Sequence, residues 1–154
     1  MVQFVGTQDG KLDSKNRIQV PAGFRAEIDR TGTEQLAFRL SHQRPCIEAV
    51  TRPAFDAMLA AIARLPLLST QRDDLESTLI GETALLRVDG EGRVVLPAEL
   101  LADANLSTGT PLTLVGKGEK FEIWARDAWK AHVSAARRRL ADGGVTLDVV
   151  GTAP

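Results

Sequence analysis

The chain has 154 residues, which is enough for one ordinary domain or for two small halves that share a core. Hydrophobic residues make up 44% of it and charged residues 25%, values typical of a globular protein that exclude a disordered chain. The net charge of −1 excludes a general basic field, so a nucleic-acid partner would have to bind a local patch.

The single cysteine, Cys46, excludes an intrachain disulfide framework and is typical of a reducing compartment. No segment approaches the roughly 18 consecutive apolar residues that a membrane-spanning helix needs. Met1 is not followed by the charged and then apolar pattern of a secretory signal. We therefore expect a cytoplasmic protein with no membrane partner.

The first elements in chain order are a short strand at residues 1–5, a tight turn and a short helix. That helix is expected to begin at Pro21, because proline is favoured in the first turn of a helix. Phe24 and Ile28 are four positions apart, so they would share its buried face.

The rest of the first half predicts two strands and a longer helix. Residues 35–40 alternate between apolar and polar side chains, and residues 46–50 form the next short strand, in which Cys46 is expected to be a small buried side chain. Apolar residues at helical spacing predict a helix over residues 53–64. A helix over about residues 71–80 then joins the halves, with Thr70 as its expected N-cap.

The second half repeats this order almost element for element. It predicts a strand at residues 82–88, a short helix at residues 97–104, strands at residues 112–116 and 120–124, and a final helix beginning at Asp127. We therefore expect one supersecondary unit to be present twice, in two halves that share a core because a unit of about 70 residues is only marginally stable alone.

Two copies of one motif, 76 positions apart, carry this repeat. In each copy an aspartate precedes an arginine by four positions, and a proline follows the arginine by four: Asp13, Arg17 and Pro21, then Asp89, Arg93 and Pro97. Asn16 and Gly92 occupy the same place in the two copies, and both residue types tolerate a left-handed backbone. Each copy therefore predicts a strand, a tight turn, a strand and a short helix.

The aspartate and arginine of each motif have two compatible interpretations. Asp13 and Asp89 are expected to hold the turns by accepting hydrogen bonds from turn amides and pairing with the arginines. The same scaffold would present Arg17 and Lys15 to a phosphate or a base edge. The structural role is the expected one for the two aspartates.

The two copies differ in charge. Residues 7–30 hold five bases and four acids, whereas residues 87–103 hold two bases and four acids. Glu91 stands where the first copy has Lys15. We therefore expect a polyanion to prefer the first turn, and the second turn to be mostly structural.

Catalysis and metal binding find little support. His42 and His132 are the only histidines, far apart in the chain, and no recognised catalytic, nucleotide-binding or metal-binding motif is present. We expect no enzyme activity, cofactor, metal or small-molecule substrate, and a surface position for His132. The basic run at residues 137–139 is interpreted as a solvated helix end that complements the helix dipole, with a phosphate contact as the alternative.

The doubled motif, with Leu114-Val115-Gly116 and Phe121-Glu122-Ile123-Trp124 in the second half, resembles the bacterial MraZ proteins from about Phe4 to Arg138. The resemblance implies an α+β fold of two tandem AbrB-like swapped-hairpin β units, forming an intrachain pseudo-dimeric barrel with flanking helices. Its boundaries would be residues 1–65 and 82–142 for the two repeats, 66–81 for a connecting helix and 143–154 for a flexible tail.

The resemblance also implies a function. MraZ proteins are DNA-binding transcriptional regulators that repress the division and cell-wall gene cluster and form homo-oligomeric rings on short direct repeats in promoter DNA. This chain would then be nucleoid-associated in the cytoplasm. DNA-binding residues carried over or inferred from their position are Lys11, Lys15, Asn16, Arg17 and Arg93, and turn-scaffolding residues are Asp13, Asp89 and Gly92.

Three other classes remain as alternatives. A ring-forming protein-interaction scaffold without DNA binding would fit the near-neutral charge and the apolar helices. An enzyme at the Asp13 and Arg17 surface would need a perturbed carboxylate in a deep pocket. An antitoxin of the same superfamily is disfavoured because antitoxins of that kind usually carry one copy of the hairpin module.

Overall fold

The computed structural model describes residues 1–144 and 146–148, so most of the predicted tail, residues 143–154, lies outside the described residues. The fold is α+β, as the sequence predicted. Its strands are β1 Thr7–Gly10, β2 Arg17–Gln19, β3 Gln35–Leu40, β4 Cys46–Thr51, β5 Ala84–Arg87, β6 Arg93–Val95, β7 Leu112–Gly116 and β8 Lys120–Ala125. Its helices are α1 Ala22–Asp29, α2 Arg52–Ala63, α3 Thr70–Leu75, α4 Ala98–Asp103 and α5 Arg126–Gly143, with a π-helical segment at Glu76–Gly81.

Six strands form one antiparallel sheet in the order β1-β7-β8-β4-β3-β5, and β2 pairs with β6 in a separate two-stranded ribbon. The expectation of a closed barrel is wrong for the described residues. The edge strands β1 and β5 do not pair with each other, and the two strands that could have extended the sheet pair with each other instead.

The two halves of the chain exchange strands. β1, from the first half, pairs with β7 of the second half, and β5, from the second half, pairs with β3 of the first. The β3–β4 and β7–β8 hairpins meet through the β4–β8 pair at the centre of the sheet. Each half therefore depends on the other for its hydrogen bonding, as expected if a single unit is too small to be stable alone.

The main core lies between the sheet, the ribbon and the short helices α1 and α4. Phe24 and Ile28 are both buried on α1, which confirms the predicted shared face. The ring of Phe24 packs 5.3 Å from that of Phe4 and 5.1 Å from that of Phe121. This aromatic cluster fastens the N-terminal segment and α1 to strand β8.

The other face of the sheet carries α2 and α5. Phe55 of α2 packs in a cluster with Ala37 and Val50, and Trp129 of α5 packs against Trp124. His132, predicted at the surface, is partly exposed, and its ring packs 4.8 Å from that of Trp124. α5 contributes Trp129 and His132 to this face because they are three positions apart on one side of the helix.

Two predicted elements differ in their bounds. Residues 1–5 do not form a strand; Phe4 makes only an isolated bridge with Gly118, because Gly6 has a φ of +94° and interrupts the chain before β1. The helix predicted over residues 71–80 is present, but its α-helical part is Thr70–Leu75 and its second part, Glu76–Gly81, has π-helical hydrogen bonding. Its N-cap is Ser69, whose hydroxyl accepts from the amide of Arg72, and the prediction of Thr70 was wrong by one residue.

None of the described helices is both long enough and apolar enough to cross a membrane.

Candidate nucleic-acid interface

The first turn, residues 11–16, is organised by the carboxylate of Asp13. Its Oδ1 accepts hydrogen bonds from the amides of Lys15 and Arg17, each at 2.9 Å, and its Oδ2 accepts from Arg17 Nε at 2.6 Å. The bond from the Arg17 amide is the main cause that lowers the pKa of Asp13 to about 2. The carboxylate therefore stays charged at neutral pH and holds the guanidinium group of Arg17 through its Nε atom. Asn16 has a φ of +60°, which confirms the predicted left-handed position.

The second turn, residues 88–92, repeats this arrangement. Asp89 Oδ1 accepts from the amides of Glu91 and Arg93, each at 2.9 Å, and Arg93 Nε lies 3.3 Å from Asp89 Oδ2. The bond from the Arg93 amide is again the main cause that lowers the pKa of this aspartate. Gly92 has a φ of +81° and confirms the second left-handed position. Both copies of the motif therefore have the same internal hydrogen bonding.

The ribbon joins the two turns. Arg17 lies opposite Val95 and Gln19 opposite Arg93 in the antiparallel register, while Ile18 and Val94 point into the core. Since side chains alternate between the two faces of a strand, the first four share the outward face. Arg17 and Arg93, 76 positions apart in the chain, are thus brought to one face of one ribbon.

The charges around the two arginines differ. Arg17 pairs with one carboxylate, that of Asp13. Arg93 pairs with Asp89 and also with Glu91, whose Oε2 lies 3.2 Å from Arg93 Nη2. Lys15, the residue equivalent to Glu91, is exposed and forms no ion pair with the described residues. The outward face is therefore more positive near the first turn.

Lys11 is exposed at the start of the first turn, and Asn16 and Gly92 form hydrogen bonds with the ribbon through their backbones. The backbone of the first turn joins the ribbon through Leu96, whose amide donates to Asn16 O at 2.9 Å. In the second turn, Val20 N donates to Gly92 O at 2.8 Å. These two bonds hold each turn at one end of the ribbon.

Sequence reasoning missed two side chains at the second turn. Gln19 Nε2 donates to Glu91 O at 2.9 Å, and the Arg25 side chain lies directly against Gly92. Gln19 could have been found from its alternation with Arg17 along the strand. Arg25 could not, because it was counted with the charges of the first turn, next to which it stands in the sequence.

Three other features that the sequence singled out lie outside the two turns. Cys46 is buried, which confirms the predicted buried side chain, and burial raises the pKa of its thiol to about 12. No group of three potential metal-ligating residues occurs among residues 1–144 and 146–148. The basic run at residues 137–139 lies on the exposed second half of α5.

Comparison with known proteins shows extensive similarity. The family model described as "MraZ protein, putative antitoxin-like" matches residues 79–143. A curated protein named "Transcriptional regulator MraZ" from Azorhizobium caulinodans is 36% identical over 140 residues, which cover 91% of this chain and 88% of that protein. A protein of the same name from Caulobacter vibrioides is 37% identical over 142 residues, which cover 92% of this chain and 88% of that protein. A third, from Gluconacetobacter diazotrophicus, is 35% identical over 142 residues, which cover 90% of this chain and 89% of that protein.

Proposed function

The chain belongs to the MraZ family, and on that premise we propose that it is a transcriptional regulator that binds double-stranded promoter DNA. The ribbon and the two turns at its ends are the proposed contact surface. Lys11, Lys15, Asn16, Arg17 and Arg93 are the proposed DNA-binding residues, and Asp13, Asp89 and Gly92 hold the turns.

The observation that carries this proposal is the outward face of the ribbon. A two-stranded antiparallel ribbon is narrow enough to enter the major groove of B-DNA, where arginine pairs with guanine O6 and N7. Arg17 and Arg93 stand on that face and each is oriented by an aspartate of its own turn. A side chain held in this way loses little conformational freedom when it binds, so the turn aspartates favour binding without touching DNA.

The fold supports the finer assignment of two tandem swapped-hairpin units. The motif strands β2 and β6 pair with each other, and each half supplies an edge strand to the other half. The resulting pseudo-two-fold relationship puts one turn at each end of the ribbon. We propose that this is the single-chain equivalent of two interleaved hairpin modules.

A near-neutral chain needs more than one site to bind DNA tightly. We propose that several chains form a homo-oligomeric ring, that each chain contributes a weak site around Lys15 and Arg17, and that the ring engages several short direct repeats together. Joining weak sites through one assembly can multiply affinity by roughly 10²–10⁴ without new contacts. Acting on the nucleoid, such a ring would repress the division and cell-wall gene cluster.

Titration of labelled DNA from directly upstream of the protein's own gene tests the proposal. Wild type, Arg17→Ala and Arg93→Ala would be compared at two salt concentrations. Arg64→Ala, at the exposed residue that follows α2, is the matched control for losing one positive charge. We expect salt-sensitive binding by wild type and Arg64→Ala, a loss of roughly tenfold or more in Arg17→Ala, and a smaller loss in Arg93→Ala. Absence of specific binding by folded wild type would overturn the proposal.

One observation favours a second function, that of a protein-interaction scaffold. Leu67 and Leu68, between α2 and α3, expose 74% and 96% of their surface. Adjacent exposed leucines are typical of a surface that contacts another protein. Oligomer formation by a wild-type protein that binds no promoter DNA would favour the scaffold.

A further inference from the structure

A cavity of about 450 Å³ lies beside the first turn and includes its first two residues, Lys11 and Leu12, in its lining. Its walls come from both halves of the chain: Gly10, Lys11, Leu12, the loop residues Thr108, Gly109, Thr110 and Pro111, and Arg126 at the start of α5. It therefore joins Lys11, a proposed DNA-binding residue, to a loop and a cation that sequence reasoning did not connect with the motif.

Two basic side chains, those of Lys11 and Arg126, line the cavity, and none of its lining residues carries a carboxylate. The Lys11 ammonium forms no ion pair with the described residues. Arg126 Nε lies 3.2 Å from Asp9 Oδ1 but is not aligned with it for a hydrogen bond, and the Nη atoms of Arg126 donate none to the described residues. Both cations thus keep donors available for an anion.

The loop adds neutral donors to these cations. The hydroxyls of Ser107 and Thr110 lie 2.9 Å apart and share a hydrogen bond, and the amide of Thr110 closes the turn on Ser107 O at 3.0 Å. The amides of Thr108 and Gly109 donate to no acceptor in residues 1–144 or 146–148. Unpaired amides of a tight turn next to basic side chains are a common setting for phosphate binding.

The repeat supplies an internal comparison. A second cavity, of about 580 Å³, lies beside the second turn. It is lined by Asp29, Arg87 and the three loop residues 76 positions before Thr108, Gly109 and Thr110, which are Gly32, Thr33 and Glu34. Its cation, Arg87, is the equivalent of Lys11 and lies 4.0 Å from Glu34. Glu34 takes the place of Thr110, and no counterpart of Arg126 lines this cavity, so the corresponding loop borders an acidic cavity in one half and a basic one in the other.

We propose that the cavity formed by Lys11, Thr110, Arg126 and the turn between them binds a phosphate of the DNA backbone. This inference rests on the proposed function and extends its contact surface to the second half of the chain. A duplex with its groove over the ribbon has its sugar-phosphate strands at the ribbon's edges, and contacts to them fix the register in which base edges are read. The equivalent acidic cavity then leaves the second turn without such a contact.

The second cavity also suggests the test. Thr110→Glu introduces the carboxylate that Glu34 provides in the equivalent place, and Thr110→Gln adds the same bulk without the charge. Both lose the hydroxyl contact with Ser107 equally. The reciprocal variant Glu34→Thr removes the acid from the second cavity.

Binding to the upstream duplex would be measured for all three variants and wild type over a series of salt concentrations. We expect Thr110→Glu to bind about tenfold or more weakly than Thr110→Gln, and its plot of log affinity against log salt to be less steep by about 0.9, the value for one phosphate contact. Glu34→Thr should bind at least as well as wild type. Thermal unfolding shows whether each variant is folded.

Equal affinities and equal salt slopes for Thr110→Glu and Thr110→Gln, with wild type still binding, would overturn this site and leave the proposed function intact. Failure of wild type to bind would overturn both. A general weakening that appears equally in Thr110→Gln would show that the loop acts through the fold and not through its charge, which also overturns the site.

Discussion

The Arg25 side chain lies against the backbone of Gly92, so that a Cβ on Gly92 would stand 2.6 Å from Arg25 Nη1 and 2.7 Å from Arg25 Cδ. The two positions equivalent to them are Leu101, which is buried, and Asn16. In one case the long side chain of Arg25 is combined with Gly92, and in the equivalent case the shorter side chain of Leu101 is combined with Asn16. A helix of the first half thus completes the turn of the second.

Gly92→Ala tests this contact. Alanine would be strained at a φ of +81° and would also displace Arg25, so we expect the free energy of unfolding to fall by about 1–3 kcal/mol. The matched control is Asn16→Gly, because glycine adopts the left-handed conformation freely; its effect should stay below about 1 kcal/mol. Urea denaturation measures both. Equal losses at the two positions would contradict the packing argument.

The pKa of Asp13 predicts a dependence of stability on pH. In the folded protein it is about 2, mainly because the Arg17 amide donates to the carboxylate, whereas the unfolded value is near 3.9. A lowered folded pKa means that the unfolded state takes up the proton first as pH falls. The stabilisation by Asp13 is therefore complete above about pH 5 and is lost progressively toward pH 2.

Asp13→Asn should accordingly be less stable than wild type at neutral pH, and the difference in unfolding midpoint should shrink as the pH falls from 5 to 2. An NMR titration of the Asp13 carboxyl carbon measures the pKa directly. A midpoint at or above 3.8, the value of an unperturbed aspartate, would contradict the hydrogen bonding described for the turn.

A buried carboxylate on the other face of the sheet predicts a larger effect. Glu122 is fully buried and lies 3.1 Å from Lys117 Nζ and 3.3 Å from Lys120 Nζ, and it accepts from Trp124 Nε1 at 2.9 Å. Glu122→Ala removes the acid that pairs with Lys117 and leaves Lys120 with Glu48 as its remaining carboxylate partner. We expect a loss of about 2–4 kcal/mol in unfolding free energy, below the full cost of an unpaired buried charge because both lysines are partly exposed.

The matched control is Glu119→Ala on the same hairpin. Glu119 is exposed and forms no ion pair with the described residues, so its removal should change stability by less than about 0.5 kcal/mol. Guanidinium unfolding compares the two variants. Similar losses in both would show that the ionic contacts of Glu122 contribute little.

The parts that the sequence predicted well are those held by short-range contacts. The turn geometry follows from residues within five positions of one another, so Asp13, Asn16 and Arg17 could be assigned directly. The ribbon register and the exchange of β1 and β5 depend on pairings between distant segments, which local patterns do not encode. For the same reason Arg25 and Arg126 were not connected with the turns they adjoin. The expectation of a closed barrel came from the family resemblance, and the pairing of β2 with β6 outside the main sheet shows it to be wrong.

The proposed ring predicts a steep dependence of affinity on the number of direct repeats. A duplex with one repeat engages one weak site, because the outward face of each ribbon carries only Arg17 and Arg93 as basic residues. Adding a second and a third repeat at native spacing should raise the affinity by roughly 10²–10⁴, whereas independent chains would gain only in proportion to the number of repeats. Filter binding on such a duplex series measures the gain, and sedimentation velocity gives the number of chains.

Moving one repeat by half a helical turn is the control, since it keeps composition but turns that repeat away from the assembly. An affinity that ignores both repeat number and phase would contradict joint engagement by a ring.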